Sequence, residues 1–404
     1  MFNYDDFFKK SLKELKNRGN YRTFADLEKG SSNFPRALNY QDDQVKEVTV
    51  WCSNDYLAMS KNPVVVDNMI DAIKKVGAGS GGTRNISGTN HYHVLLEREL
   101  CYLHQKEAAL LFNSGYLANL TTLSTLGKKL PDCVFLSDEK NHASMIQGMK
   151  SSQTKKIIFK HNDIIDLENK LKINSEHKTK IIVFESIYSM DGDFSPLKKI
   201  TALAKKYNAL TFLDEVHAVG IYGKRGAGLA EREGVMGSVD IIQGTLAKAF
   251  GVIGGYITGN QDLVDFVRSF ASGFIFTTSI PPCVASGAYS AIRYLKFSDK
   301  ERKKLFQVVD DTKYYLRKLK IPFIENDSHI IPVIIRDSKL CKEACQILLH
   351  DHNIYVQPIN YPTVPIGTER LRITASPFHT KQMIRQLADA LRDVFTRLNI
   401  KTAA

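Results

Sequence analysis

The sequence predicts an α/β protein in which a mostly parallel sheet carries helices on both faces. Four near-continuous apolar runs end in polar residues, and segments with helical periodicity lie between them. Apolar runs without polar alternation are typical of strands buried on both faces of a parallel sheet. Ligands bind outside the carboxyl ends of such strands, so the polar residues after the runs predict a single cleft.

Each apolar run leads to side chains that can take part in chemistry. The runs and the residues that follow them are 134–136 with His142, 181–184 with Ser189, 210–213 with Asp214 and His217, and 239–242 with Thr245 and Lys248. Because the carboxyl ends of parallel strands meet at one edge of a sheet, we expect these side chains to share the cleft.

Helix boundaries are marked between the runs. Asn62-Pro63 and Ser195-Pro196 place a capping side chain before a proline, which predicts two helices with proline at the first helical position. Gly77 is expected to end the first of them. Strands that alternate with helices of this length predict a doubly wound sheet.

The length of 404 residues allows more than one domain. We expect an N-terminal arm over residues 1–57, a cofactor-binding catalytic domain over 58–292, and a smaller α+β domain over 293–404. The last of these opens with a charged helix near 298–300 and contains a strand near 329–335.

The composition is that of an ordinary globular protein, with 43% hydrophobic and 24% charged residues. No apolar run approaches the roughly 18 residues that span a bilayer. The net charge of +12 comes from dispersed lysines without an arginine-rich stripe, so nucleic acid is not an expected partner. Part of that charge suits a polyanionic small substrate. The acidic start lacks the features of a signal or transit peptide, which predicts a cytoplasmic protein.

The six cysteines have neither the spacing of a zinc site nor the density of a disulfide framework. Cys341 and Cys345 lie four residues apart on a predicted helix, but no second pair of ligands accompanies them. Reduced thiols and no bound metal are therefore expected.

Lys248 and Asp214 are the most informative pair. Proteins hold pyridoxal phosphate with a lysine that follows one strand and an aspartate that ends an earlier strand. Lys248 would form the Schiff base, and Asp214 would keep the pyridine nitrogen protonated so that the ring accepts electrons. The chain has 55 Lys and Arg residues, and a single lysine among them is ordinarily a surface residue. The position of Lys248 in the predicted cleft is what favours a role in cofactor binding.

Residues 77–93 form a stretch rich in glycine, serine and threonine. Glycine lets the backbone pass close to a ligand or a partner chain, and Thr83, Arg84 and Asn85 supply hydrogen-bond donors. The stretch does not have the strand, GxGxxG and helix order of a nucleotide site. A flexible connector is the alternative interpretation.

Motifs along nearly the whole chain resemble those of the 5-aminolevulinate synthases, which belong to the α-oxoamine synthases within fold-type I pyridoxal phosphate enzymes. The motifs cover residues 21–24, 54–57, 77–93, 141–144, 185–193, 214–220, 244–248, 276–279 and 355–365. The resemblance implies condensation of glycine with succinyl-CoA, with loss of CoA and carbon dioxide, to give 5-aminolevulinate in the first step of haem and tetrapyrrole biosynthesis. It also implies a homodimer with shared active sites and a bacterial-type cytoplasmic enzyme.

The resemblance assigns a role to each matching residue. Lys248, Asp214 and His142 are implied as catalytic, with Lys248 removing the glycine α-proton and His142 stacking on the cofactor ring. The other implied cofactor contacts are Ser114, Gly115, Tyr116 and Thr245 at the phosphate, Ser189 and His217 at the phenolic oxygen, and Thr277 and Thr278 reaching the phosphate from the partner subunit. The implied substrate contacts are Asn54 and Arg372 for the glycine carboxylate, Arg22, Thr83, Asn85, Ile86 and Thr363 for the succinyl group, and Ser137 and Lys156 near CoA.

Two of these contacts have a simpler interpretation. Thr363, between two prolines, is also typical of a turn, and Lys156, beside Lys155, of a solvated surface. Three positions depart from the family pattern, since Ala58 and Ala247 replace glycines and Ala375 replaces a proline. These changes put loop conformation and rate in question, not the chemistry. The chain has no Cys-Pro dipeptide, so the haem-regulatory motif of targeted eukaryotic members is absent.

Two alternative functions are compatible with the sequence. One is a sister α-oxoamine synthase with another acyl-CoA, such as glycine C-acetyltransferase or 8-amino-7-oxononanoate synthase. Arg22 with Thr83 and Asn85 favours instead a short acyl chain that ends in a carboxylate. The other is a non-catalytic protein of the same fold, against which the intact Lys248 and Asp214 argue.

Overall fold

The structure is a computed structural model that describes residues 2–30, 32–41 and 44–402. It divides into two compact units. The first consists of Met1–Tyr56, Met190–Gly192 and Glu301–Ala404, and the second of Leu57–Ser189 and Asp193–Lys300. The division into three segments from the sequence stays a prediction.

The elements are named in chain order. The strands are β1 (Leu27–Glu28), β2 (Arg36–Asn39), β3 (Lys46–Val50), β4 (Ala108–Phe112), β5 (Cys133–Asp138), β6 (Lys155–Phe159), β7 (Thr179–Glu185), β8 (Leu210–Asp214), β9 (Ile241–Thr245), β10 (Gly255–Gly259), β11 (Ile330–Ile334), β12 (Ile354–Tyr355), β13 (Pro358–Ile359) and β14 (Arg370–Thr374). The helices are α1 (Tyr4–Asn17), α2 (Pro63–Val76), α3 (His91–His104), α4 (Gly115–Lys129), α5 (Ala143–Ser151), α6 (Ile164–Ile173), α7 (Leu197–Lys206), α8 (Leu229–Arg232), α9 (Gln261–Phe270), α10 (Ser272–Ile275), α11 (Pro282–Phe297), α12 (Lys300–Lys318), α13 (Ser338–His352) and α14 (Lys381–Arg397).

A seven-stranded sheet in the order β4-β10-β9-β8-β7-β5-β6 forms the centre of the second unit. The strands β6, β5, β7, β8 and β9 pair in parallel, whereas β10 pairs antiparallel with both β9 and β4. The predicted α/β class with a mostly parallel sheet is therefore confirmed.

Both faces of this sheet are covered, which explains why its strands read as unbroken apolar runs. Phe135 and Leu136 of β5 point to opposite faces, and both are fully buried. On one face, side chains of α4, α5, α9 and α10 join Phe135 in a single apolar cluster. On the other face, the imidazole of His104 in α3 lies 2.9 Å from the Tyr256 hydroxyl of β10.

Parallel register places three polar side chains side by side. Asp214, the last residue of β8, lies opposite Glu185 of β7 and Gln243 of β9. All three are buried. The carboxyl ends of three adjacent strands thus present a carboxylate, a second carboxyl group and an amide at one edge of the sheet.

The first unit contains two smaller sheets, β1-β2-β3-β12 and β11-β14-β13. The buried ring of Trp51 packs against the His379 ring, with ring centroids 3.8 Å apart and the planes tilted by 34°. Antiparallel pairing sets Arg372 of β14 opposite Pro332 of β11. Arg372 is thereby held on a paired strand, not on a loop.

One predicted helix start is found as expected, and two other predicted boundaries shift by one or two residues. The helix α2 begins at Pro63 and is followed by Gly77 with a φ of 83°, as predicted. The helix α7 begins at Leu197, so Pro196 is its N-cap and not its first residue. The strand β5 extends to Asp138, because pairing with β6 continues two residues beyond the apolar run, as far as Asp138 opposite Phe159.

Within the described ranges, no helix combines the length and the hydropathy that a membrane crossing requires.

Candidate active site

Asp214 is the best-defined member of the site. Its carboxylate, 2% exposed, accepts the backbone N–H of Val216 at Oδ1 over 2.9 Å and the amide of Asn119 at Oδ2 over 2.7 Å. Each oxygen therefore has one partner and keeps lone-pair capacity for another donor. A carboxylate fixed in this way suits a protonated pyridine nitrogen.

His142 lies next to this carboxylate. It is the N-cap of α5, and its Nδ1 lies 2.7 Å from the Ser144 hydroxyl. Burial lowers the pKa of His142 below its ordinary value; the charge of Asp214 opposes this shift and that of Lys248 adds to it. His142 is thus within electrostatic reach of Asp214 and Lys248, the other two residues predicted as catalytic.

Glu185 is a member of this cluster that the sequence did not reveal as a site residue. Its Oε1 accepts the backbone N–H of His142 over 2.7 Å. Burial, and then the charge of Asp214, raise the pKa of Glu185 well above its ordinary value, against the effects of that hydrogen bond and of Lys248. The only available signal was its position at the end of a predicted strand.

The start of α4 has the backbone geometry that favours an anion. Ser114 caps the helix by accepting the N–H of Leu117 over 3.1 Å, and Gly115 is the first helical residue. A Cβ built on Gly255 would lie 2.4 Å from the Gly115 nitrogen, so only glycine fits against this backbone. Helix N-termini favour phosphate, because their free N–H groups and dipole face it.

Thr245 lies beside the same helix start. A Cβ on Gly115 would meet the Thr245 Cβ at 3.4 Å, which shows how closely the two segments approach. The Thr245 hydroxyl donates to the Gly254 carbonyl over 3.0 Å and accepts the N–H of Ala247 over 3.1 Å. Tyr116, the next residue of α4, faces His142 edge to face with ring centroids 6.4 Å apart.

Thr277 and Thr278, predicted to reach the partner's cofactor, lie in the second unit, as do Thr83, Asn85 and Ile86, which were predicted for the succinyl group. Thr83 and Thr278 form an isolated β-bridge, and the Thr278 carbonyl accepts the Asn113 side chain over 2.8 Å. Thr277 donates its hydroxyl to the Gly273 carbonyl over 2.6 Å. Ile86, 84% exposed, projects from the same segment as Thr83 and Asn85. Whether these residues serve a neighbouring chain stays a prediction.

Arg372 and Asn54, predicted as the glycine-carboxylate contacts, are in contact in the first unit. The Arg372 Nη1 donates to Asn54 Oδ1 over 2.9 Å, and its Nη2 donates to the Tyr56 hydroxyl over 2.7 Å. Tyr56, fully buried, was not identified from the sequence. It restrains the guanidinium from one side, which favours bidentate pairing with a carboxylate.

Arg22 and Thr363, predicted for the succinyl group, line one cavity of about 400 Å³ in the first unit. Lys342 and His350 also line it, together with the amides of Gln346 and Gln357. No carboxylate is among its lining residues in the described part of the chain. The cavity therefore suits an anionic ligand.

The two residues predicted near CoA differ in accessibility. Lys156 of β6 is exposed. Ser137 of β5 is fully buried, and its hydroxyl accepts the Asn141 amide over 2.9 Å. A contact of Ser137 with CoA stays a prediction.

Ala58 has a backbone conformation that favours glycine. Its φ of 56° lies in the left-handed region, where a Cβ costs about 1–2 kcal/mol. Ala247 and Ala375 are not among the described residues with positive φ. Of the three departures from the family pattern, Ala58 therefore is the one with a strained backbone.

No group of three or more His, Cys, Asp or Glu side chains within residues 2–30, 32–41 and 44–402 is arranged to hold a metal ion.

The geometry fits pyridoxal phosphate. The N-terminus of α4 suits the phosphate, the Asp214 carboxylate suits the pyridine nitrogen, and Lys248 lies within electrostatic reach of His142 beside them. Fold and site together are those of a fold-type I pyridoxal phosphate enzyme.

Comparison with known proteins narrows this class. The family model for aminotransferases of class I and II matches residues 46–391. The 5-aminolevulinate synthase of Rhizobium meliloti (strain 1021) is 54% identical over 99% of both chains. That of Rickettsia bellii (strain RML369-C) is 53% identical over 99% of this chain and 96% of its own. A solved structure described as SPT with PLP internal aldimine shares 28% identity, with a TM-score of 0.90 and 98% of each chain covered. The chain belongs to the aminotransferase class I and II family and, within it, to the 5-aminolevulinate synthases.

Proposed function

We propose that this protein condenses glycine with succinyl-CoA, releasing CoA and carbon dioxide, to form 5-aminolevulinate for haem and tetrapyrrole synthesis. The observation that carries the proposal is the 54% identity to a 5-aminolevulinate synthase along 99% of the chain. The resemblance to bacterial members also supports a cytoplasmic location. The test is an assay of product from glycine with a panel of acyl-CoAs, in which acetyl- or pimeloyl-CoA as the best donor would favour a sister synthase.

The second unit supplies the cofactor site. Pyridoxal phosphate, when bound, provides an electron sink that stabilises negative charge on the glycine α-carbon. Asp214 would hold its pyridine nitrogen and His142 its ring face. The other contacts that we assign are Ser114, Gly115, Tyr116 and Thr245 at the phosphate, with Ser189 and His217 at the phenolic oxygen. The Lys248 amine would anchor the cofactor and then take the α-proton as general base.

Arg372 is proposed to bind the glycine carboxylate. Its guanidinium is already oriented by Asn54 and Tyr56, so little side-chain entropy would be lost on binding. A planar guanidinium presents parallel N–H donors to a carboxylate. Fixing that carboxylate would in turn hold the α-carbon in one orientation for proton removal.

Arg22 is proposed to select the acyl group by pairing with its far carboxylate. We expect wild-type kcat/KM to favour succinyl-CoA over butyryl-CoA by about 10⁴-fold, because a site built for a polar group rejects analogues that lack it. Glutaryl-CoA, one methylene longer, should lose only about 10–200-fold. In the Arg22→Leu variant, the kcat/KM preference for succinyl-CoA over butyryl-CoA should narrow or reverse, and the KM for glycine should stay nearly unchanged. Steady-state kinetics with the three thioesters measures both.

Arg36→Leu is the matched control for that variant. Arg36 lies in the same unit, where it forms an exposed ion pair with Glu47 at 2.8 Å. Its replacement should leave the order of the three thioesters intact. Equal wild-type kcat/KM for succinyl- and butyryl-CoA would remove the carboxylate pocket from the proposal.

We further propose an active homodimer whose sites are shared between subunits, with Thr277 and Thr278 reaching the partner's cofactor. Mixing Lys248→Ala with Arg22→Leu subunits should then restore partial activity, because one site of each mixed dimer would be intact if the two residues come from different chains. Activity on succinyl-CoA after subunit exchange measures this, and light scattering should give twice the 45.5 kDa of one chain.

Lys248→Ala mixed with Asp214→Asn is the control pair, since both residues belong to the cofactor half of one chain. No activity should return there. Verified mixed dimers of Lys248→Ala and Arg22→Leu that stay inactive would place those two residues in the same chain's site.

A further inference from the structure

A buried asparagine links the two best-defined residues of the site. Asn119, 1% exposed, lies in α4, in the turn that follows Gly115. Its Nδ2 donates to Asp214 Oδ2 over 2.7 Å and to the Ser144 hydroxyl over 2.9 Å. The Ser144 hydroxyl in turn lies 2.7 Å from His142 Nδ1. One side-chain amide is thus bonded to the carboxylate directly and to the imidazole through one hydroxyl.

The orientation of this amide is set by its partners. An ionised carboxylate accepts only, so the NH₂ group of Asn119 must face Asp214. The same group has a second N–H for Ser144, and an amide turned by 180° would set its oxygen against the carboxylate. Both hydrogens of the Asn119 amide are therefore used, and both contacts are made or lost together.

The direction of the next bond follows from a backbone donor. The N–H of Ser144 points to His142 Nδ1 over 3.2 Å, and a backbone N–H donates only. Nδ1 must therefore act as the acceptor. The Ser144 hydroxyl, which receives a hydrogen from Asn119, has its own hydrogen free for Nδ1. In neutral His142 the proton is then on Nε2.

We propose that Asn119 is a positioning residue, which orients the Asp214 carboxylate and, through Ser144, fixes His142 as the Nε2-protonated neutral tautomer. The inference rests on the proposed roles of Asp214 and His142 at the cofactor. Burial agrees with it, because it lowers the pKa of His142 and so favours the neutral ring. In this role Asn119 acts on the site through its two partners, Asp214 and Ser144.

The test uses the full-length protein labelled with ¹⁵N-histidine, with and without added pyridoxal phosphate. Two-bond ¹H–¹⁵N spectra report which ring nitrogen of His142 has the proton, and a His142→Gln spectrum identifies its signals. Wild type should show a single Nε2-protonated form. Asn119→Ala should show mixed tautomers, because the Ser144 hydroxyl would then be free to accept from Nδ1–H and only the longer 3.2 Å contact of the Ser144 N–H would oppose it. It should also show weaker pyridoxal phosphate binding in equilibrium dialysis and a kcat lower by about 10–100-fold, as for other outer partners of site residues. Asn119→Asp keeps the volume but loses both donors, so it should be at least as impaired.

Two further variants separate positioning from folding. Ser144→Ala should weaken the preference for the Nε2-protonated form, because it removes the 2.7 Å hydroxyl contact and leaves only the 3.2 Å contact of the backbone N–H. It should leave pyridoxal phosphate affinity unchanged, because the bond from Asn119 to Asp214 remains. Asn174→Ala removes another buried amide, which donates to the Lys170 carbonyl over 2.8 Å outside this network, and it should leave the His142 spectrum unaltered.

The outcomes distinguish this inference from the proposed function. A wild-type tautomer pattern in Asn119→Ala, or an Asn119→Asp variant with wild-type kcat, would overturn the positioning role even if the protein makes 5-aminolevulinate. If wild type makes no 5-aminolevulinate but the tautomer still depends on Asn119, the hydrogen-bond chain stands and the proposed reaction fails.

Discussion

Lys248→Ala is expected to abolish turnover without unfolding the protein. The amine is proposed both to anchor the cofactor and to take the α-proton, and general base catalysis alone contributes about 10²–10⁴-fold. We therefore expect kcat to fall by more than about 10⁴-fold, since both functions are lost together. The contacts proposed for the phosphate and the pyridine nitrogen do not involve this amine, so noncovalent cofactor binding should persist. Product formation at saturating substrates and cofactor absorbance after dialysis measure the two effects.

Lys199→Ala serves as the control for this variant. Lys199 is an exposed lysine of α7, and its replacement should change neither turnover nor cofactor retention. A Lys248→Ala protein that makes product at a near wild-type rate would move the catalytic amine elsewhere. A variant that fails to fold would show as loss of the circular dichroism spectrum, and Lys248→Gln, closer in volume, would then replace it.

The sequence was sufficient for the fold and for the residues at the ends of strands. Unbroken apolar runs indicate strands that are buried on both faces of a parallel sheet. The end of each run then marks the carboxyl end of its strand. His142, Asp214 and Lys248 each follow such a run, so their approach was predictable from one rule about strand ends. The contact between Arg372 and Asn54 depended instead on the family resemblance, because the two residues are far apart in sequence and no periodicity links them.

Asn119 and Glu185 show what could not be predicted. Asn119 lies inside a helix, and its role depends on how that helix packs on the sheet, which side-chain periodicity does not specify. Glu185 ends a strand as Asp214 does, but its place beside Asp214 and His142 is set by parallel register and by a bond from the backbone of His142. Contacts of this kind are properties of tertiary packing, so they become visible only in the structure.

Asp214→Asn is expected to block removal of the glycine α-proton far more than it weakens cofactor binding. The amide keeps the shape of the carboxylate but not its charge. Its NH₂ group must now face either the Val216 N–H or the Asn119 NH₂ group, so that two donors oppose each other. Loss of one member of a buried charge pair costs about 3–5 kcal/mol, which corresponds to about 10²–10⁴-fold in rate. Washout of deuterium from α-deuterated glycine, followed by NMR without any acyl-CoA, isolates this step from acyl transfer.

Asp240→Asn is a matched control, because it removes a carboxylate charge from the same unit. Asp240 accepts the backbone N–H and the hydroxyl of Thr211, each over 2.8 Å, at the start of β8, whereas Asp214 lies at the end of that strand. Loss of the Asp240 carboxylate should lower the stability of the protein. Deuterium washout should stay near the wild-type rate, since the charge proposed to face the pyridine nitrogen is untouched. If Asp214→Asn also exchanged deuterium at the wild-type rate, the group that keeps the pyridine nitrogen protonated would have to be another residue. Glu185, the buried carboxyl group opposite Asp214 in register, would be the first to replace in its turn.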